Sequence, residues 1–425
     1  MVQPLEGIRV LDMTYAMMGP TATVYLSDMG AEVIRVEPPE GDGVRFNRGV
    51  GNRLPQAVPS PYFVSMARGK KGIIVDLKWE KGKEIIYRLL KRCDVLVSNY
   101  RQGVMERLGL GYETLKQHNP RLIWAYANGF GPRGPDAGKG SLDGSAQARG
   151  GLCSLTGYPD GPPLLIGAGI GDTAGGMQLA LAIMTALVAR ERHGIGQKVE
   201  TSAYGAQLWL QMWEVDHSSM TGHTLSRKGG HHTNIPGTYG IYQTADGHGI
   251  YFAYPLTEDS WQAFCKFAGM EWLGTDPRWN TKRKRVGMDS VEMNETALQV
   301  RPYLREAFQR KTLDEWTTFL ASQPEIVWEK AYNHEDILND PQALANEYIV
   351  KMDLPVIGPT KVVGNLVHLS QTPGSVKGPP PEMGQHTEEV LLELGYSWDE
   401  IVEINKHNQE VVRQKWAAAG GPPQR

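Results

Sequence analysis

The 425-residue chain has only three cysteines, Cys93, Cys153 and Cys265. Their odd number and wide spacing exclude a disulfide framework and any CxxC metal or redox motif, and fit a reducing, cytoplasmic setting. An excess of charge of one sign is also lacking. At a formal net charge of −3, neither a nucleic-acid partner nor a polybasic membrane contact is expected. The opening residues carry no basic stretch followed by an apolar core, so no secretory signal is expected. The longest apolar run, near residues 177–189, reads as too short to span a bilayer. The one GxGxxG, GFGPRG at residues 129–134, runs into Pro135 and not into a helical pattern, and no GxSxG elbow occurs, which argues against a dinucleotide-dependent dehydrogenase and a serine hydrolase. His231 and His232 are adjacent, point apart in extended backbone and have no Asp, Glu or Cys at ligand spacing, so no metal is expected.

What the chain does have is glycine, 49 residues of it, within a composition that is 41% hydrophobic and 21% charged. That excludes extensive disorder and points to tight turns and close backbone approach to a ligand. β-branched runs at residues 8–13, 32–36, 72–76, 94–97, 121–126 and 198–202 alternate with helical patterns at 20–29, 80–92 and near 112–117. The expected architecture is a Rossmann-like, doubly wound parallel sheet. Ligands of such sheets bind beyond the carboxyl ends of the strands, which singles out the loops at 14–20, 37–45, 98–103 and 128–140. Arg45, Arg48, Lys70, Lys71, Arg101 and Arg107 lie near them, each either a phosphate contact or a solvated surface charge.

Farther on, a helix is expected at 206–217, a hairpin around residues 245–248, helices at 260–269, 292–309 and 313–322, and an amphipathic helix over 328–350 interrupted at Pro341. Two short strands are expected in 355–369, then helices at 387–394 and 400–415 and a frayed tail at 417–425. The domains read as 1–225, large and ligand-binding; 226–325, a smaller α+β domain; and 326–425, a linker and C-terminal segment returning to the large domain.

One stretch stands apart: GAGIGDTAGG at residues 167–176, running into an apolar helix. Its lone carboxylate, Asp172, has two readings, a helix N-cap or a nucleophile held ionised by the helix N-terminus and reached through a glycine-lined opening. Cys153, in GGLCS, reads as a buried, inert thiol.

LEGIRVLDMT at 5–14 with Gly19 and Pro20, LSDMGAEVIRVEPP at 26–39, DVLVSN at 94–99, Gly171-Asp172, GIGQKV at 194–199 and GQHTE at 384–388 together resemble the class III CoA-transferases, over nearly the whole chain. The resemblance implies an acyl-CoA:carboxylate CoA-transferase with Asp172 as nucleophile, passing through aspartyl anhydride and aspartyl-CoA thioester intermediates. It implies coenzyme A and acyl-CoA as substrates, an organic acid as acceptor, succinyl-CoA as a reasonable donor and no tightly bound cofactor. Tyr15, Ala16, Met17 and Met18 match the segment lining the thioester, where Met17 and Met18 would act through a backbone N–H; Asn99, Tyr100 and Arg107 match CoA contacts. Pro38 and Pro39 replace a basic pair of the oxalate enzymes, leaving Arg45 as the substitute, with Lys70 and Lys71 as further phosphate contacts. Residues 229–236 stand where those enzymes carry a glycine-rich lid. Tyr239, Tyr242 and Trp261 suit either an aromatic acceptor or core packing. An interlocked dimer is implied, of identical chains or with a homologous subunit. The alternatives are an α-methylacyl-CoA racemase, whose histidine would fall near Leu142, and a non-catalytic partner subunit.

Overall fold

The computed structural model describes residues 2–51, 53–55 and 57–418. Six strands, β1 (Arg9–Met13), β2 (Glu32–Glu37), β3 (Lys71–Ile74), β4 (Val95–Ser98), β5 (Ile123–Asn128) and β6 (Lys198–Ser202), form one parallel sheet in the order β3-β2-β1-β4-β5-β6. Seven helices matter below: α1 (Met18–Asp28), α2 (Pro61–Ala67), α3 (Glu80–Leu90), α4 (Asp143–Arg149), α5 (Ile170–His193), α6 (Ala203–Leu210) and α7 (Met212–Thr221).

The strands are apolar on both faces because helices cover both. Leu11, Met13, Ile34 and Leu96 pack with Ile85, Ile86 and Leu89 of α3. On the other face Val10, Val33, Val95 and Ile123 meet Ala22 and Leu26 of α1 and Leu179, Ile183 and Ala186 of α5. Each fully buried Leu, Ile or Val contributes roughly 1.5–3 kcal/mol. From β1 the chain builds outward to β2 and β3 on one side and to β4, β5 and β6 on the other. The loops after β1 and β4 therefore part and leave a crevice at the carboxyl edge.

Helix α5 has 24 residues and is long and apolar enough to cross a membrane by length and composition, which corrects the reading of a run too short to span. Its inner face, including Leu179, Ala180, Ile183 and Ala186, is buried in the core between sheet and α1. Gly175 and Gly176 permit that packing. A Cβ on Gly176 would lie 2.5 Å from the Met18 carbonyl oxygen, and one on Gly175 2.6 Å from Met18 Cε.

The chain divides into two compact units, the first comprising Met1–Gly150, Gly167–Leu210 and Leu338–Arg425, the second Gly151–Ile166 and Gln211–Ile337. The second is thus larger than the expected 226–325 segment. It holds an antiparallel sheet of Gly240–Gln243, Gly249–Pro255 and Ile326–Lys330. The third of these strands replaces the start of the helix expected over 328–350: Phe252 pairs with Trp328, and this tertiary pairing overrides the local helical pattern. Two short helices, His334–Asn339 and Pro341–Ala345, follow, and then Ile349–Leu354 pairs antiparallel with Gly358–Val363. The helix expected at 206–217 breaks at Gln211 into α6 and α7, and that at 292–309 breaks into Val291–Leu298 and Arg301–Gln309, with Pro302 in the first turn of the latter. Of the expected tail, residues 419–425 lie outside the described residues.

Candidate active site

The crevice is a cleft of about 780 Å³, and the loop leaving β1 forms one wall. There the Tyr15 N–H donates to Asn99 Oδ1 at 2.9 Å, and Asn99 Nδ2 donates back to the Tyr15 carbonyl at 2.7 Å. Ala16 follows with φ +58°, a left-handed conformation costing a residue with a Cβ roughly 1–2 kcal/mol. The chain then enters α1 with Met17 as its N-cap residue. The first intrahelical bond runs from Thr21 N–H to the Met17 carbonyl, so the N–H groups of Met18 and Gly19 have no intrahelical partner.

Asp172 closes the cleft from α5. It is the third residue of that helix, and the N-cap position is Gly169, which corrects the N-cap reading. The cap comes from another element: the N–H groups of Gly171 and Asp172 donate to Asp143 Oδ1 of α4, at 2.6 and 3.1 Å. Gln147, one turn on in α4, donates to Asp143 Oδ2 at 2.7 Å and fixes the carboxylate. A Cβ on Gly171 would stand 3.0 Å from Asp143 Oδ1, and one on Gly169 2.6 Å from Met17 Sδ. The glycine frame is therefore mostly filled, by Met17, Met18 and Asp143, and only Gly167 faces open space. The expected glycine-lined opening is thus largely packing.

The Asp172 carboxylate makes no hydrogen bond or ion pair with the described residues. Burial, and then the charge of Asp143, pushes its pKa up to about 6. Tyr62 on α2 is pushed up to about 12 by burial and then by the charges of Asp172, Asp42 and Asp143, so its phenol remains a neutral donor. Neither Asp143 nor Tyr62 stood out in the sequence, because each acts through a group distant along the chain.

Seven expected residues, Tyr15, Ala16, Met17, Met18, Asn99, Tyr100 and Asp172, line this one cleft. The expected cations divide differently. Lys70 is buried beneath α1, its Nζ 2.8 Å from Asp12 Oδ2 and 2.7 Å from Thr23 Oγ1. Arg45 is buried too, paired with Glu37 at 2.5 Å, donating to the Pro381 carbonyl at 2.9 Å and lying over the Phe63 ring. Lys71 starts β3, at the opposite edge of the sheet, and binds Glu32 at 2.9 Å and Glu389 at 2.7 Å beside a separate cavity of about 540 Å³. These three are corrected from phosphate contacts to structural ion pairs: their carboxylate partners, invisible along the sequence, occupy them. Arg107 is exposed at the end of the helical turn Val104–Arg107 and outside the cleft lining. Arg101 and Lys139 do line the cleft, exposed and in no salt bridge among the described residues. Lys139 was missed although it lies inside the flagged loop at 128–140.

In the second unit, Tyr242 and Trp261 are fully buried in the aromatic core, which removes them as acceptor contacts. The segment expected as a lid is tethered there. His231 Nδ1 lies 3.1 Å from the Tyr239 carbonyl oxygen, and Arg301 donates to the carbonyls of Ile235 and Gly237 at 2.7 and 3.0 Å. Burial and the Arg301 charge lower the His231 pKa to about 4, leaving it neutral. No cluster able to hold a metal occurs among the described residues.

Comparison with known proteins places this geometry. The model of CoA-transferase family III matches residues 5–387. The chain is 33% identical over 419 residues to a formyl-CoA:oxalate CoA-transferase of Streptomyces coelicolor, covering 93% of this chain and 97% of that one. It is 32% identical over 413 residues to a succinyl-CoA–D-citramalate CoA-transferase of Chloroflexus aurantiacus, covering 94% and 96%. Among solved structures, a CAIB/BAIF family protein from Brucella suis superposes with a TM-score of 0.81 at 27% identity, covering 93% and 100%. With a cleft at the switch point of a parallel sheet, an unpaired aspartate facing it and a family match over nearly its whole length, the chain belongs to CoA-transferase family III.

Proposed function

We propose that Asp172 is the nucleophile and that the enzyme moves CoA from succinyl-CoA, or a similar acyl-CoA, to a small dicarboxylic acid. The observation that carries this reading is an unpaired carboxylate with a pKa near 6 facing the cleft. It is ionised at neutral pH, yet neither cation nor hydrogen bond stabilises its charge, so it gains by losing that charge in a covalent adduct.

One carboxylate oxygen attacks the thioester carbonyl and the CoA thiolate leaves, forming a mixed anhydride. The thiolate then attacks the Asp172 carbonyl; the donor acid departs with the bridging oxygen and an aspartyl-CoA thioester remains. The acceptor carboxylate attacks that carbonyl and expels thiolate, and the thiolate takes the acceptor acyl group, restoring Asp172. The free N–H groups of Met18 and Gly19 suit the developing oxyanion, and Arg101 and Lys139 suit the CoA phosphates. The donor and acceptor classes draw support from relatives named for succinyl-CoA, oxalate, D-citramalate and mesaconate. Racemisation is disfavoured because the position expected for its histidine is Leu142, which cannot carry a proton.

A second copy of the chain covers the outer face of α5 and α6. Met177, Leu181, Val188 and Trp209 are each more than half exposed there, an apolar patch of the kind that marks an interface.

The test is to incubate the enzyme with a panel of acyl-CoAs and free acids, follow exchange by mass spectrometry, and repeat with Asp172→Asn. Loss of transfer by at least ~10⁴-fold is expected; robust transfer by the freshly prepared variant would sink the aspartyl mechanism. α-Proton exchange in heavy water without an acceptor would favour the racemase.

A further inference from the structure

The pairing of β1 with β4 ends at Met13 opposite Ser98. One residue later the strands part, and the side-chain amide of Asn99 takes the place of the next peptide. It accepts from the Tyr15 N–H and donates to the Tyr15 carbonyl, at 2.9 and 2.7 Å. The fork thus fixes the residue immediately before Ala16, one of three described non-glycine residues with a left-handed φ. Such a conformation persists only where its surroundings over-determine it. Gly19 completes the fit: a Cβ there would lie 2.6 Å from Thr14 Cβ and 3.2 Å from Asn99 Cγ. The first turn of α1 therefore rests directly on the amide.

Resting on the transferase reading above, we infer that Asn99 is a positioning residue: its amide holds Ala16 in the left-handed turn and so aims the free first-turn N–H groups of α1 into the cleft beside Asp172. Glutamine would reach too far and alanine would not reach at all. Without the fork, Ala16 relaxes to negative φ and the N–H groups turn away.

The test follows the exchange of deuterium-labelled succinate, formate and acetate into the corresponding acyl-CoAs. For Asn99→Ala, kcat is expected to fall ~10–100-fold, the scale of a misaligned reacting group, while KM for the thioester changes less than about threefold. Ala16→Gly introduced into that variant should restore kcat by at least ~tenfold, since glycine adopts the left-handed turn without a Cβ penalty. Asn99→Asp, which keeps the acceptor and loses the donor, should fall between; it carries the test if the alanine variant does not fold. Wild-type kcat in Asn99→Ala or Asn99→Asp, a defect confined to KM, or no recovery with Ala16→Gly would each overturn the assignment. Absence of exchange by the wild-type enzyme itself would count instead against the transferase reading.

Discussion

At Asp172 two effects oppose one another. A position in the first turn of a helix favours its anion by about 0.3–1 kcal/mol, whereas burial and the neighbouring Asp143 lift the pKa from 3.8 to about 6, a rise worth about 3 kcal/mol. Desolvation wins. Because the folded-state pKa lies above the ordinary value, the favourable contribution belongs to the protonated form; it is fully present below pH 3.8 and lost as the pH rises through about 6. At pH 7 the Asp172→Asn variant is accordingly expected to be more stable than wild type by roughly 1–3 kcal/mol, read by urea unfolding. The same shift sets the acid limb of kcat/KM near pH 6, with activity falling as Asp172 is protonated. Asp143, on α4, is the titratable group that acts on Asp172, whereas the Tyr62 phenol stays neutral and itself feels the Asp172 charge. Asp143→Asn keeps an oxygen for the two capped N–H groups and removes the charge, so the limb should move to lower pH; an unmoved limb would remove Asp143 as a cause.

At the scale of the element, α5 holds Asp172, the proposed nucleophile, in place through its glycines. Adding a side chain at Gly176 meets backbone, the Met18 carbonyl oxygen at 2.5 Å, which cannot yield as a flexible side chain can. Gly176→Val is therefore expected to destabilise the fold by about 2–4 kcal/mol in a denaturant titration, and the displaced α1 should lower kcat as well. This is also where reading from sequence alone reached its limit. The βαβ alternation was legible because each strand is a short β-branched run between helical patterns, and the loops at the carboxyl edge followed from it. The glycines of 167–176 were visible too, but their purpose was not: a glycine that admits Met18 looks the same in sequence as one that admits a ligand. Asp143 was silent for a similar reason, since its partners Gly171 and Asp172 are local to it only after folding. Lys70, Lys71 and Arg45 misled because a cation near a loop binds phosphate only if no carboxylate reaches it first. The strand Ile326–Lys330 was hidden because its pairing partner, Gly249–Pro255, lies far back in the chain.

For the whole molecule, the family resemblance spans both compact units, and the returning segment Leu338–Arg425 belongs to the first. The outer face of α5 and α6 leaves Leu181 67% and Trp209 64% exposed, apolar surface of the kind that an interface covers. Light scattering of the wild-type protein is expected to give a dimer, and Leu181→Glu with Trp209→Glu to reduce its association or its yield of folded protein. A wild-type monomer stable at micromolar concentration would contradict the covered face.

The central claim is that CoA passes through a covalent bond to Asp172, and the fate of one oxygen atom tests it most directly. In the proposed cycle the acceptor acid leaves one of its carboxylate oxygens on Asp172 as the enzyme is regenerated. After turnover with a heavy-oxygen-labelled acceptor, mass spectrometry of the peptide containing Asp172 should find the label in that side chain. Full turnover with no label at Asp172 would contradict the account.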